Sequence, residues 1–222
     1  TPLLTTYAQP YVLELLGGST SITGAGVTNF ANTGALKLGQ LVDSTLSFAG
    51  GLTATAPSSI SAAGHISTSD AAVVFGNAPL VLTDDVTITA GNANVDFGGT
   101  INTASGVTAK SLTVNSNGTT TFTGAVGGDT NGALLSLTTD KGTGGSVAIN
   151  GGSVTTTGAQ NYGEVLSMSQ ATTLTASDVT FGDTVTGPSS LSVLGITAMN
   201  GGSITTMGNQ HFSGAVTLGV NT

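Results

Sequence analysis

Cysteine, tryptophan and arginine are all absent from this 222-residue chain. Without cysteine there is no disulfide and no thiolate metal site. Without arginine, and with lysine only at Lys37, Lys110 and Lys141, nothing neutralises a row of phosphates, which excludes nucleic-acid binding. Charged residues make up 6% of the chain, against roughly 25% in an ordinary soluble domain. The net charge of −8 makes contact with an anionic membrane repulsive. No run approaches the roughly 20 apolar residues of a membrane helix, so membrane insertion is not expected. No secretory leader is visible, and Thr1 in place of Met reads as the start of a mature or excised piece of something longer.

What is there is glycine, at 34 residues, and threonine, at 40, with 38% of positions hydrophobic. Disorder is the bland reading of such a composition, but the apolar residues fall at regular places. The stretch Asn150-Gly-Gly-Ser-Val-Thr-Thr-Thr-Gly-Ala-Gln-Asn-Tyr162 returns as Asn200-Gly-Gly-Ser-Ile-Thr-Thr-Met-Gly-Asn-Gln-His-Phe212. Asn-Gly-Gly is turn chemistry, and the β-branched run after it favours a strand. A turn plus a strand, repeated, is the unit of a solenoid. From Gly17 onward short runs of Val, Ile, Leu and Thr alternate with Gly, Asn or Asp; Val86, Ile88 and Ala90 fall on one face of such a run, Thr87 and Thr89 on the other.

The aromatic residues set the expected phase. Phe30, Phe48, Phe75, Phe97, Phe122, Phe181 and Phe212 are each followed two residues later by Gly, Asn or Asp, and Tyr162-Gly-Glu164 is a shortened eighth copy. Those three residue types tolerate positive φ, so the position reads as a corner. The intervals run 18, 27, 22, 25, 40, 19 and 31 residues, and the longest hides a coil near Val147–Ile149. These features predict an all-β, right-handed parallel β-helix of about nine to ten coils, each roughly 23 residues, with the eight rings as an inward ladder. Like charges stacked about 4.8 Å apart repel, so this architecture disfavours charge.

The runs Leu112-Thr-Val-Asn, Thr-Thr-Phe122-Thr-Gly-Ala-Val-Gly-Gly, Asn-Gly-Gly-Ser153-Val-Thr-Thr-Thr and Thr-Leu174-Thr-Ala-Ser-Asp-Val-Thr-Phe181-Gly-Asp resemble bacterial secreted β-strand-repeat proteins. They are similar to filamentous-haemagglutinin-type exoproteins and autotransporter passenger domains. The resemblance covers about residues 82–220, less clearly 17–81, and not 1–16. It implies an extracellular or cell-surface location on a bacterium and carries no catalytic residues with it.

Chemistry-bearing residues are scarce. His65 lies near Ser67 and Asp70, but adjacency in sequence does not make a triad, and His211 should point outward beside Phe212. Asp84-Asp85 is the only acidic doublet, and Asp178 and Asp183 flank Phe181; a solvated corner outweighs a weak calcium site at either. With two Glu and no Arg, the means for polysaccharide cleavage are few. Ice binding is the rival from another class, through the Thr-x-Thr pairs at residues 53, 87, 119, 155, 173 and 184; their differing phase sets them on different faces. No enzyme, cofactor or metal is therefore expected. The expected role is a non-enzymatic structural or adhesive surface protein, with contact to a glycan or to a host or cell surface.

Residues 1–16 stand apart, with no Gly and two Pro, and residues 17–222 form the expected solenoid. Tyr11, Val12, Leu13, Leu15 and Leu16 are too apolar for solvent. They serve either as a cap over the open core or as a strand that joins copies end to end into a filament.

Overall fold

The computed structural model describes residues 4–140 and 144–219, and these fold as a parallel β-solenoid of about ten coils with no helix. Residues 1–3 of the expected N-terminal segment, and the last three of the chain, lie outside the described residues. Each coil lays strands on three faces in turn. The first face is a nine-stranded parallel sheet that includes Val73–Phe75, Val95–Phe97 and Thr119–Phe122. The second and third faces are joined into one sheet, because Ser59–Thr68, Leu80–Gly91, Thr172–Phe181 and Leu191–Met199 run through the corner between them.

Alternation decides what is inside. On the second face Leu13, Leu36, Ile60, Leu80, Ile101, Val126, Val154, Leu174, Val193 and Phe212 stack in one column, register partner on register partner. Burying one such side chain contributes roughly 1.5–3 kcal/mol. Ten stacked coils at about 4.8 Å each give a rod on the order of 50 Å long.

This aliphatic column counts the coils; the aromatic residues do not. Phe75, Phe97 and Phe122 form a parallel stack on the first face, with centroid separations of 5.5 and 5.2 Å. Tyr162 and Phe181 stack at 5.9 Å on the third face. Phe30 meets Phe48 edge-on at 5.9 Å across a corner. All of these rings are buried, whereas Phe212, on the second face of the last coil, is only partly so. The expected single ladder is therefore several short stacks on different faces, and aromatic intervals do not measure coil length. Along the second-face column the register advances by 19 to 28 residues per coil, about 22 on average and close to the 23 expected; the last coils are the shortest, at nineteen. The strand Ser146–Ile149 is the ring-free coil expected near Val147: Ile149 takes the place of Phe122 in its stack.

The boundary at residue 16 also moves. Leu13–Leu15 pairs in parallel with Leu36–Leu38 and is a regular strand of the second face. Upstream, Thr6 lies against the first-face strand Thr28–Asn29: its Oγ1 donates to the Asn29 carbonyl and accepts from the Ala31 N–H. Residues 4–22 thus make the first coil, because backbone pairing with the coil above outweighs Pro10, which falls outside its strands. Of the five residues singled out for the joint, Leu13 and Leu15 pack partly on the core, Tyr11 and Leu16 are half-buried, and Val12 is exposed.

Candidate functional surface

Inserted residues collect on one edge of the rod. At the corner between the second and third faces, residues 39–44, 104–111 and 127–136 leave the coil as longer connections. In four other coils the strand passes straight through that corner. Gly39 and Gly127 open two of the excursions with φ of 76° and 68°, conformations that suit glycine. Corners of a solenoid absorb insertions without disturbing the ladder, and insertions gathered on one side commonly form the binding face.

These connections are tied down by a few polar side chains. Asp84 accepts from the Val42 N–H at 3.1 Å and from the Lys110 ammonium at 2.8 Å, so one carboxylate holds two loops. The hydrogen bond from Lys110, helped by the Asp85 N–H, holds the Asp84 carboxyl below its ordinary pKa. The same contact raises that of Lys110. Asp85 accepts from the Ser111 N–H at 2.8 Å. Asn102, buried on the second face, donates to Asp129 at 3.0 Å and accepts from the Asp129 N–H at 3.1 Å. Thr103 Oγ1 donates to the Ala133 carbonyl and accepts from the Lys110 N–H. The loops are therefore held in place, and what they present outward is apolar. Leu41, Val42, Val107, Leu135, Leu194 and Ile196 are each at least 40% exposed along this edge. A shallow groove of about 300 Å³ runs beside it between Leu16, Lys37, Gln40 and Thr83.

The residues weighed for chemistry do not converge. His65 is exposed on the third face between Thr45 and Thr87, while Asp70 is engaged by the N–H and side-chain amide of Asn92 at 2.9 and 3.0 Å. His211 is exposed on the second face beside Ser192. Asp178 accepts from the Ser177 hydroxyl, and Asp183 from the Thr184 N–H, at different corners. Among the described residues no three His, Cys, Asp or Glu side chains group to hold a metal ion. The threonines of the Thr-x-Thr pairs divide among the faces: Thr53, Thr121 and Thr186 on the first, Thr155 and Thr175 on the second, Thr87 and Thr89 on the third.

Two features went unread in the sequence. The first is the edge itself: the variable intervals signalled insertions, but only the register shows that the two longest, 104–111 and 127–136, share one corner with 39–44. The second is Glu164, which turns inward after Tyr162 and is 4% exposed. Neither of its carboxylate oxygens has a hydrogen-bond partner among the described residues. Burial, with a smaller contribution from Asp140, pushes its pKa up to about 7. Gly145 leaves the space it occupies, since a Cβ there would collide with Glu164 Oε1. The shortened Tyr162-Gly-Glu164 copy was its only trace in the sequence. Nearby Tyr162 donates its hydroxyl to Gln160 Oε1 at 3.0 Å, and Gln160 in turn donates to the Val154 and Thr175 carbonyls, so this buried pair is satisfied. Comparison with protein-family models, with characterised proteins and with solved structures finds no match to this chain.

Proposed function

We propose that the protein is a non-enzymatic structural or adhesive rod of a bacterial cell surface, joined to further copies in series and contacting its partner through the looped edge. The observation that carries this reading is the edge: three anchored connections and six exposed apolar side chains share one corner of a charge-poor solenoid. Single exposed apolar residues are ordinary, whereas apolar residues aligned on anchored loops mark an interaction site. A charge-poor, hydroxyl-rich rod with a net charge of −8 suits a host or cell surface or a glycan better than it suits nucleic acid. Lacking a convergent acid and base, it is ill equipped for glycoside cleavage.

Two measurements test the proposal. Antibody labelling of intact cells should decorate their surface; protein found only in the cytosol would end it. Beads coated with the protein should adhere to cells, and a Leu41→Asp, Val107→Asp, Leu135→Asp variant should lose most of that adhesion while keeping its circular dichroism. Equal adhesion by the variant would remove the edge from the mechanism.

A further inference from the structure

At the corner where the third face turns into the first, one carboxylate is buried without a partner. Glu164 is 4% exposed, and neither of its oxygens has a hydrogen-bond partner among the described residues. Asp140 stands beside it: Thr139 and Tyr162 are register partners, and the two acids follow one and two residues after that pair. Asp140 is half-buried and accepts the Ser116 N–H at 3.0 Å through Oδ1, while its Oδ2 receives no hydrogen bond from a described residue. Ser116 comes from the coil before, in which Val114 is the register partner of Thr139. The Ser116 carbonyl and Glu164 Oε1 both come within 2.9 Å of the point that a Cβ on Gly145 would occupy. The missing side chain at Gly145 thus leaves a small space with oxygen atoms around it. Lys37 and Lys110, the two lysines among the described residues, are engaged elsewhere, by Glu14 and by Asp84.

We infer that this corner binds one calcium ion, held by the Glu164 and Asp140 carboxylates and the Ser116 carbonyl. A buried charge is paired or bound to a metal in most proteins, and a buried polar atom without a partner calls for a water or an ion. Protonation of Glu164 would still leave its second oxygen without a donor, whereas a cation satisfies both. Asp140 adds to the upward push on the Glu164 pKa, as one carboxylate does to another with no cation between them. All the ligand atoms are oxygens, which suits a hard cation. Calcium accepts bidentate carboxylates and irregular geometry, while magnesium demands a near-ideal octahedron. Half-buried Asp140 leaves the ion a way in from solvent. The set is two carboxylates and a backbone carbonyl, which is why no group of three acidic side chains marks it. Its members come from three successive coils, so the ion would clamp them together. The site stands apart from the looped edge and does not rest on the adhesive or filament reading.

Calcium chloride titrated calorimetrically into the full chain at pH 8, after removal of bound metal with a chelator, should reveal one saturable site. Its dissociation constant should fall at about 10⁻⁴–10⁻³ M, the range of weak calcium modules. The thermal midpoint should rise by several degrees in about 10 mM calcium over its value in EDTA, where ionised Glu164 keeps its full burial penalty. Magnesium should raise it clearly less. Glu164→Gln keeps the shape of the side chain without its charge and should abolish both the binding and the shift. Asp140→Asn keeps an acceptor for the Ser116 N–H and should weaken binding at least tenfold; it decides the question alone if Glu164→Gln does not fold. No saturable binding by the wild type overturns the site, as does unchanged binding by either variant. An equal rise of the midpoint in sodium chloride of the same ionic strength would assign the effect to screening and overturn it too.

Discussion

Lys110 and Asp84 are 26 residues apart in the chain, yet the ammonium lies 2.8 Å from the carboxylate, and the same carboxylate receives the Val42 N–H from a third coil. One side chain thus fixes connections that leave the rod at different heights. A half-buried pair at the rod's surface, like this one, adds little to global stability. Its effect is local, on the presentation of Leu41, Val42 and Val107.

Asp84→Asn should therefore loosen the edge without unfolding the rod. Limited proteolysis should cut within residues 39–44 and 104–111 several-fold faster than in the wild type, with the thermal midpoint nearly unchanged. The same release should occur on acidification. Because the carboxyl is held below its ordinary value of 3.8, its contribution is complete above that pH and is lost as pH falls through the lowered pKa. Cleavage that begins well above pH 4 would assign the anchoring to another group.

Glu164 has the opposite sign. Its folded pKa of about 7 exceeds the ordinary 4.5, so below pH 4.5 the burial carries no ionisation penalty. Stability then falls as pH rises toward 7 and levels off above it. Glu164→Gln should match the wild type near pH 4 and exceed it at pH 8 by about 2–4 °C in thermal midpoint or more, the shift that 1 kcal/mol gives in a chain of this size. A variant less stable than the wild type at pH 8 would mean that the ionised carboxylate is stabilised in the fold.

Phe97→Ala removes a ring stacked on both sides and should cost about 3–5 kcal/mol. Phe212→Ala, at the partly open last coil, should cost clearly less. Because each coil's core packs on its neighbours, the loss is best read by hydrogen exchange in the coils around residue 97, where protection should fall first. Equal costs at the two positions would contradict the burial difference between them.

A thermal hysteresis assay at micromolar protein should show no activity. On the first face the outward column that holds Thr53, Thr121 and Thr186 is interrupted by Val74, Asp96 and Ala148, so its hydroxyls form no unbroken row. Measurable hysteresis would restore the ice-binding alternative.

Composition, period-two alternation and recurring Asn-Gly-Gly turns were enough to settle the solenoid, because stacked strands need no special side chains and ladder repetition imposes a texture on the whole chain. Inward positions such as Val86, Ile88 and Phe97 were legible for the same reason. The rest depends on register between residues about twenty or more apart, which sequence spacing does not encode when coil length varies. Phe30 and Phe48 sit on different faces of one coil, so equal local patterns around them mask different places in the cross-section. Leu13–Leu15 looked foreign beside two prolines, yet its backbone finds the edge of Leu36–Leu38. Only the tertiary structure brings the three insertions to one corner and turns Glu164 away from water. Both follow from how many residues each coil spends between its faces, a quantity fixed when the coils stack.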